Sequence, residues 1–155
     1  MADQDWRACL SEWSWRYHDR LREHPWVLRS PITGPPATPN QTAFLEQGLH
    51  ALRDTGLVEH EKASIVLLLS GYVRSAATLS ADIEAGFLAL RPTRDEAMSG
   101  YAALLRRLTD RERFPALHAV LDAGVFDVAD DPDDEFSFGL ERILDGIEAL
   151  MVART

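Results

Sequence analysis

The spacing of apolar residues is the feature that most constrains what this chain can fold into. They recur every three or four positions, which is the period of an amphipathic α-helix, and no segment alternates as a half-buried strand does. The pattern predicts an all-α fold of several packed helices. It is sharpest in the C-terminal segment FSFGLERILDGIEALM, where one stripe holds Phe136, Leu140, Ile143, Leu144, Ile147, Leu150 and Met151. Such a stripe either closes the core of its own chain or pairs with the same helix of a second copy.

Bulk composition narrows the classes of function. A chain of 155 residues is by default one domain and is long enough to bury a core. The formal net charge is −9 and Lys62 is the only lysine, which argues against a DNA-gripping surface because phosphate binding needs clustered cations. Cys9 is the only cysteine, so no disulfide can form within the chain. The N-terminal segment lacks a signal-peptide core, and the longest purely apolar run, Ile65 to Leu69, is too short to span a bilayer. We therefore expect a soluble, cytoplasmic protein that contacts neither membrane nor nucleic acid directly.

Proline, glycine and capping residues divide the first half of the chain into elements. A first helix is predicted over residues 5–23, and residues 24–40 form a connection whose five prolines exclude a helix. Thr38 and Gln41 fit a capping box at the start of a second helix, which we expect to stop at Gly56.

A long helix is predicted from about Glu59 to Leu88. Its segment IVLLLSGYV is apolar all round, and we expect a helix of that kind to be buried on every side. One stripe of this helix consists of small or polar residues that would let another helix approach closely: Gly71, Ser75, Thr78 and Asp82. Gly139 and Gly146 in the last helix point to a close approach as well, since glycine disfavours a helix interior.

Pro92 is expected to end the long helix, and two shorter helices follow it. The first lies in TRDEAMSGYAALLRRL, and its predicted inner face consists of Met98, Tyr101, Leu105 and Leu108. The second is predicted from about Phe114 to Ala123, closed by Gly124.

Catalytic and metal-binding signatures are not found in the sequence. GxSxG, P-loop and HExxH motifs are absent, and no two of the five histidines stand four residues apart. The acidic loop at residues 127–135 does not match EF-hand spacing, so its expected role is solvation and negative charge at the start of the last helix. The prediction is a protein that is not an enzyme and holds no metal and no cofactor.

Three segments resemble the ligand-binding half of regulators of the tetracycline-repressor family. They are HPWVLRSPITGPPATPNQTAFLEQGLHALRDTGL, LLLSGYVRSAA and FSFGLERILDGIEALM, and the resemblance extends from about Trp6 to Met151. Such regulators also carry an N-terminal helix-turn-helix domain of about fifty residues. Met1 lies only a few residues before the first helix of the resembling region, so we expect this chain to be a single regulatory domain over residues 1–155, without the DNA-reading part.

The resemblance implies a homodimer in which the long helix and the last helix pair with their copies in a four-helix bundle. An obligate interface of this kind would bury about 2,000 Å² or more. The residues expected at this interface are Gly71, Ser75, Thr78, Asp82, Phe136, Leu140, Ile143, Ile147 and Leu150.

The resemblance further implies a receptor for a small hydrophobic or aromatic effector, antibiotics among them, that controls DNA binding in the full-length repressor. We expect its pocket between the first helix, the long helix and the helices after Pro92. The candidate lining residues are Trp13, Tyr17, Phe44, Tyr72, Arg74, Tyr101, Phe114 and His118. For the aromatic candidates the alternative is ordinary core packing, and for Arg74 it is a salt bridge to Asp82, Glu84 or a partner subunit. Two other functions stay open, namely a dimerisation module without a ligand and a small all-α enzyme.

Overall fold

The computed structural model describes residues 5–30, 34–35, 37–90 and 93–154, with the side chains of 87–90 excepted. Every secondary-structure element in these residues is helical, which confirms the all-α prediction. One element, Pro25–Arg29, is a 3₁₀ helix, which corrects the expectation that the connection at residues 24–40 contains no helix; the proline at its start lacks only an amide that the first turn does not use. The expected break at Pro92 lies outside the described residues. The six α-helices are α1 Trp6–Glu23, α2 Pro39–Ala51, α3 Glu59–Leu90, α4 Arg94–Leu108, α5 Pro115–Asp122 and α6 Pro132–Val152.

The helices begin where local chemistry predicts. The Thr38 side chain accepts from the Gln41 amide while the Gln41 side chain accepts from the Thr38 amide, so the predicted capping box of α2 is confirmed. Asp5 caps α1 in the same way by accepting from the amide of Arg7 at 3.0 Å. Thr93 and Glu96 form a second capping box at the start of α4.

The end of α2 differs from the prediction. The helix ends at Ala51 rather than at Gly56, and the chain turns through the intervening residues before Gly56 takes a φ of +71°. The ammonium of Lys62 donates to the Arg53 carbonyl at 3.3 Å within this turn. The contact from Lys62 of α3 therefore stabilises the turn after Ala51, which the sequence predicts as part of α2.

The described chain divides into two compact units. Unit 1 comprises the residues up to Ala81 and those from Glu135 onward, and unit 2 comprises residues 82–134. The core of unit 1 is contributed by α1, the α2–α3 region and α6, and its buried members are Leu10, Trp13, Leu21, Leu52, Leu57, Ile65, Val66, Leu69, Val73, Ala77, Phe136, Leu140, Leu144 and Ile147.

Helix α3 is not buried on every side, which corrects the expectation for IVLLLSGYV. Leu69 and Val73 are fully buried, but Leu67 and Leu68 are 74% and 54% exposed. By length and composition alone, α3 could cross a membrane, although the core helix of a soluble protein meets the same condition. The longest uninterrupted apolar run, Ile65 to Leu69, is short, so it gives no indication that the mean hydropathy of α3 as a whole is this high. What matters for function is that α3 has one face in the core of unit 1 and an apolar face outside it.

Unit 2 packs α4 against α5. Ala102 of α4 and Leu121 of α5 are buried, and the Arg106 guanidinium donates to the Leu121 carbonyl at 2.9 Å. The predicted inner face of α4 is partly wrong, because Tyr101 and Leu108 are exposed. The buried side is centred on the small residue Ala102, which an apolar-spacing argument based on large side chains does not detect.

Candidate functional site

Three of the expected pocket residues form one aromatic cluster between α1 and α2. The rings of Trp13 and Phe44 stack with centroids 4.4 Å apart, and the ring of Tyr17 lies 5.1 Å from Phe44 and 6.2 Å from Trp13. The Trp13 indole donates to the Phe44 carbonyl at 3.0 Å, and Trp13 itself is buried. Gly48 makes room for the indole, because a Cβ there would lie 3.2 Å from Trp13 Cε2. The cluster is thus closely packed.

Tyr72 belongs to a second aromatic group in unit 1. Its ring stacks on Phe136 at 5.5 Å, and its hydroxyl donates to the Phe136 carbonyl at 2.8 Å. Burial raises the pKa of the Tyr72 phenol above its ordinary value, and the Glu135 carboxylate raises it further. Phe136 also stacks on the buried imidazole of His18 at 4.1 Å. The sequence analysis did not select His18 as a candidate. Its position on the apolar side of α1 is the signal that could have indicated its burial.

Arg74 does not form the salt bridge to Asp82 or Glu84 that was one of the contacts expected for it. Its guanidinium donates to three backbone carbonyls at the end of the 3₁₀ helix, those of Val27, Leu28 and Ser30, at 3.0 to 3.2 Å. The Val27 carbonyl also accepts from the Ser30 amide at 3.2 Å, and all three carbonyls lie at the C-terminal end of the element, where backbone acceptors are left over. Arg74 therefore anchors the segment after α1 to α3, in place of the expected salt bridge within the chain.

The other three candidates lie in unit 2. Tyr101 contacts the ring of Phe126 edge-on at 5.5 Å, and Phe114 is partly exposed. His118 is buried, with Nε2 3.1 Å from the Thr109 hydroxyl. That hydroxyl donates to the Leu105 carbonyl at 2.7 Å, which favours the tautomer in which His118 donates from Nε2. The imidazole thus fastens α5 to the end of α4.

A cleft of about 270 Å³ opens between α1 and α2. Only Trp13 of the expected pocket residues lines it. Its other lining residues are Cys9, Glu12, Arg16, Glu46, Gln47, His50 and Ala51. Arg16 donates to Gln47 across the cleft at 3.1 Å. Sequence reasoning missed this set, although the polar residues recur at helical spacing on both helices. A ligand pocket for a drug-sized molecule ordinarily has a volume of 300–1,000 Å³ and encloses most of the ligand, so this smaller, open cleft is a poor match for a hydrophobic effector.

Part of the predicted α3 stripe is accessible. Gly71, Ser75 and Asp82 are exposed, and Thr78 is partly exposed and donates to the Arg74 carbonyl at 2.8 Å. Leu68 and Leu79 lie on the same side of the helix as Gly71 and Ser75 and are also exposed. We call Leu67, Leu68, Gly71, Ser75 and Leu79 the α3 face; all five belong to unit 1.

The expected interface on α6 needs correction. Phe136, Leu140 and Ile147 are buried in the core of their own chain, and Ile143 packs against that core. Leu150 is more than one-third exposed. The surface that α6 leaves accessible runs along the other side of the helix, and Leu150 lies at its edge, next to the buried stripe. We call Phe138, Arg142, Gly146, Ala149 and Leu150 the α6 face.

Ion pairs join the start of α1 to α6. The Arg7 guanidinium contacts Glu141, Asp145 at 2.6 Å and Glu148 at 3.4 Å. Within the described ranges, no group of three or more acidic, histidine or cysteine side chains could hold a metal ion. The contacts of Arg7 therefore connect α1 to α6.

Comparison with known proteins gives a consistent assignment. A sequence model of the "Tetracyclin repressor-like, C-terminal domain" matches residues 1–151. The HTH-type transcriptional repressor DrrR1 of Streptomyces coeruleorubidus is 30% identical over 155 residues, which is 99% of this chain and 56% of that repressor. The chain therefore spans about half the length of this curated relative.

One solved structure supports the fold. It is described as a possible TetR family transcriptional regulator from Streptomyces coelicolor A3(2) and superposes with a TM-score of 0.66. The identity is 22%, and the match covers 97% of this chain and 68% of the other.

Proposed function

The chain belongs to the tetracyclin repressor-like C-terminal domain family of transcriptional regulators. From this premise we propose that the chain forms a homodimer and is the part of a repressor that binds a small-molecule effector. DNA binding in such a repressor would be carried out by a helix-turn-helix domain, not by the residues described here. We place its action in the cytoplasm, where the DNA is.

The observation that carries the proposal is the exposed apolar surface on α3. Leu79 is 62% exposed and Leu67 and Leu68 are more than half exposed, while small residues between them leave room for a second helix. Contiguous apolar surface of this kind marks an interaction site. A two-fold dimer would place the same patch of each copy against the other.

The α6 face supports a joint interface. Helices α3 and α6 touch where Tyr72 meets Gly139, and the neighbours of these residues, Gly71 and Phe138, are both exposed. No atom outside the local helix backbone lies within 4 Å of a Cβ built on Gly146. We propose that a second copy covers both faces and so forms a four-helix bundle.

We propose that the effector is hydrophobic or aromatic, antibiotics included, and binds beside the Trp13–Tyr17–Phe44 cluster. Aromatic rings stack on planar ligands, and the phenol of Tyr17 offers a polar handle. Effector binding would alter repression only by favouring one dimer conformation over another. An effector that binds both conformations with equal affinity does not shift the equilibrium between them.

A dimerisation module without an effector is the second candidate. It is favoured by the close packing of Trp13 against Phe44 and by the small volume of the open α1–α2 cleft. In this alternative the aromatic residues stabilise the core and have no ligand.

A matched pair of substitutions tests the interface. Leu68→Glu places a carboxylate on the α3 face, whereas Leu104→Glu changes a similarly exposed leucine on α4. We expect sedimentation velocity to show dissociation of the Leu68→Glu variant and an intact Leu104→Glu dimer, because desolvating an unpaired carboxylate at an interface is costly. Equal sedimentation of the two variants would argue against the proposed interface.

A further inference from the structure

The hydroxyl of Tyr72 reaches into the backbone of α6. It donates to the Phe136 carbonyl at 2.8 Å and lies 3.5 Å from the Glu135 carbonyl. In an α-helix the carbonyl of residue 136 is also the acceptor for the amide of residue 140. The phenol of α3 therefore shares an acceptor with the internal hydrogen-bond ladder of α6.

Gly139 is what permits this approach. A Cβ at position 139 would lie 2.7 Å from Tyr72 Cζ, and closer still to the hydroxyl oxygen, so any other residue would displace the ring. The second glycine of α6, Gly146, has no such neighbour. The two glycines that look alike in the sequence thus have different surroundings, and Gly139 serves a contact within the chain.

This contact lies where the rotation of α6 about its own axis decides which side chains are buried. Phe136, on one side of the helix, is buried and stacked under the Tyr72 ring, while Phe138, two residues later, is 65% exposed. Residues two apart point about 160° away from each other around a helix. A rotation of α6 that released Tyr72 would move Phe136 out of the core and change the direction of Phe138.

We propose that Tyr72 is a positioning residue for the dimer: its hydroxyl, seated at Gly139, sets the rotation of α6 and so aims the α6 face at the second copy. This inference rests on the dimer of the proposed function and adds the side chain that controls its geometry. Tyr72 would act through α6 and need not touch the second copy itself.

Tyr72→Phe tests the proposal, because it keeps the ring and removes only the hydroxyl. Ser70→Ala is the matched control, since the Ser70 hydroxyl donates to the Val66 carbonyl within α3 and does not reach α6. For Tyr72→Phe we expect hydrogen exchange of the amides of residues 136–142 to rise about tenfold, with residues 147–152 unchanged. We also expect the dimer dissociation constant to rise about tenfold, whereas Ser70→Ala changes neither measurement.

Gly139→Ala provides a second test that does not depend on removing the hydroxyl. It should reproduce the exchange pattern of Tyr72→Phe, and its effect should largely disappear in a Tyr72→Val background, where the ring is absent. Equal effects of Gly139→Ala in both backgrounds would show that the two residues do not act together and would overturn the proposal.

The outcomes separate this inference from the proposed function. A wild-type chain that is monomeric at every concentration contradicts the dimer and the positioning role with it. A wild-type dimer whose dissociation constant is unchanged in Tyr72→Phe contradicts the positioning role alone. Uniformly faster exchange along α6 in Tyr72→Phe, at an unchanged dissociation constant, would show that the hydroxyl contributes only to general stability.

Discussion

The guanidinium of Arg7, in the first turn of α1, lies 2.6 Å from the carboxylate of Asp145 in α6. Asp145 also accepts two hydrogen bonds from Arg142, at 2.7 and 2.9 Å. The hydrogen bond from Arg7 is the largest cause that lowers the pKa of Asp145, followed by that from Arg142. The pKa of Arg7 is raised in turn, first through Glu141 and then through Asp145. The charge network therefore connects two helices that are far apart in the sequence.

This network predicts a pH dependence of stability. The folded-state pKa of Asp145 is below its unfolded value of about 3.9. The carboxylate therefore contributes its full share to the free energy of unfolding above the unfolded pKa, and this share is lost as the pH falls through the folded pKa. We expect the urea midpoint to fall on acidification below about pH 4, and Asp145→Asn to make that decline shallower. Asp19→Asn, an exposed carboxylate on α1, is the control. Identical slopes in wild type and Asp145→Asn would contradict the role of this pair.

Gly48→Ala is predicted to destabilise unit 1. The new methyl group would lie 3.2 Å from both Trp13 Cε2 and Val66 Cγ2, so the indole would have to shift. Overpacking of this kind costs about 1–3 kcal/mol, measurable by urea denaturation. Gly100→Ala on α4 has open space around it and should instead stabilise by up to about 1 kcal/mol. A neutral or stabilising Gly48→Ala would show that α1 and α2 are less tightly packed than the contacts indicate.

The elements that the sequence predicts well are those set by local chemistry. The capping box of Thr38 and Gln41 involves neighbouring backbone amides, so its residues suffice to place the start of α2. Gly124 takes a φ of +72° just after α5, as expected of a helix stop. In contrast, the turn before Gly56 is held by Lys62 from another helix, and no local pattern reports that contact.

The candidate site was predicted less well, because spacing identifies a face but not what covers it. The stripe of α6 was recognised, yet Phe136 and Leu140 face their own core and the exposed Phe138 lies on the other side. Arg74 has carboxylates nearby in the sequence, but its partners are carbonyls more than forty residues away. The dimer and the effector remain predictions.

Arg74→Met is predicted to loosen the segment after α1. The substitution keeps most of the apolar stem and removes the donor to the carbonyls of Val27, Leu28 and Ser30. Because Ser30 is exposed and the Val27 carbonyl keeps the Ser30 amide, the loss of this donor should cost about 0.5–1.5 kcal/mol. It should also accelerate proteolysis after Arg29, measured as the rate of cleavage by trypsin. Arg107→Met on α4 is the control, and equal cleavage rates in the two variants would refute the anchoring role.

An effector bound beside the aromatic cluster should change tryptophan emission. A Trp26→Phe background removes the most exposed tryptophan, so that the emission comes from Trp13, stacked on Phe44, and from the partly buried Trp6 and Trp15. We expect at least one member of a panel of hydrophobic antibiotics and planar dyes to shift emission and melting temperature. Phe44→Leu should weaken that response, whereas Phe138→Leu should not. If no compound changes either signal, the dimerisation module without an effector is the better description.

The molar mass of the unmodified chain in solution tests the central claim most directly. Sedimentation equilibrium over a range of micromolar concentrations should give twice the chain mass of 17.4 kDa, because the α3 and α6 faces would be covered by a second copy. A mass of 17.4 kDa throughout that range would contradict the account.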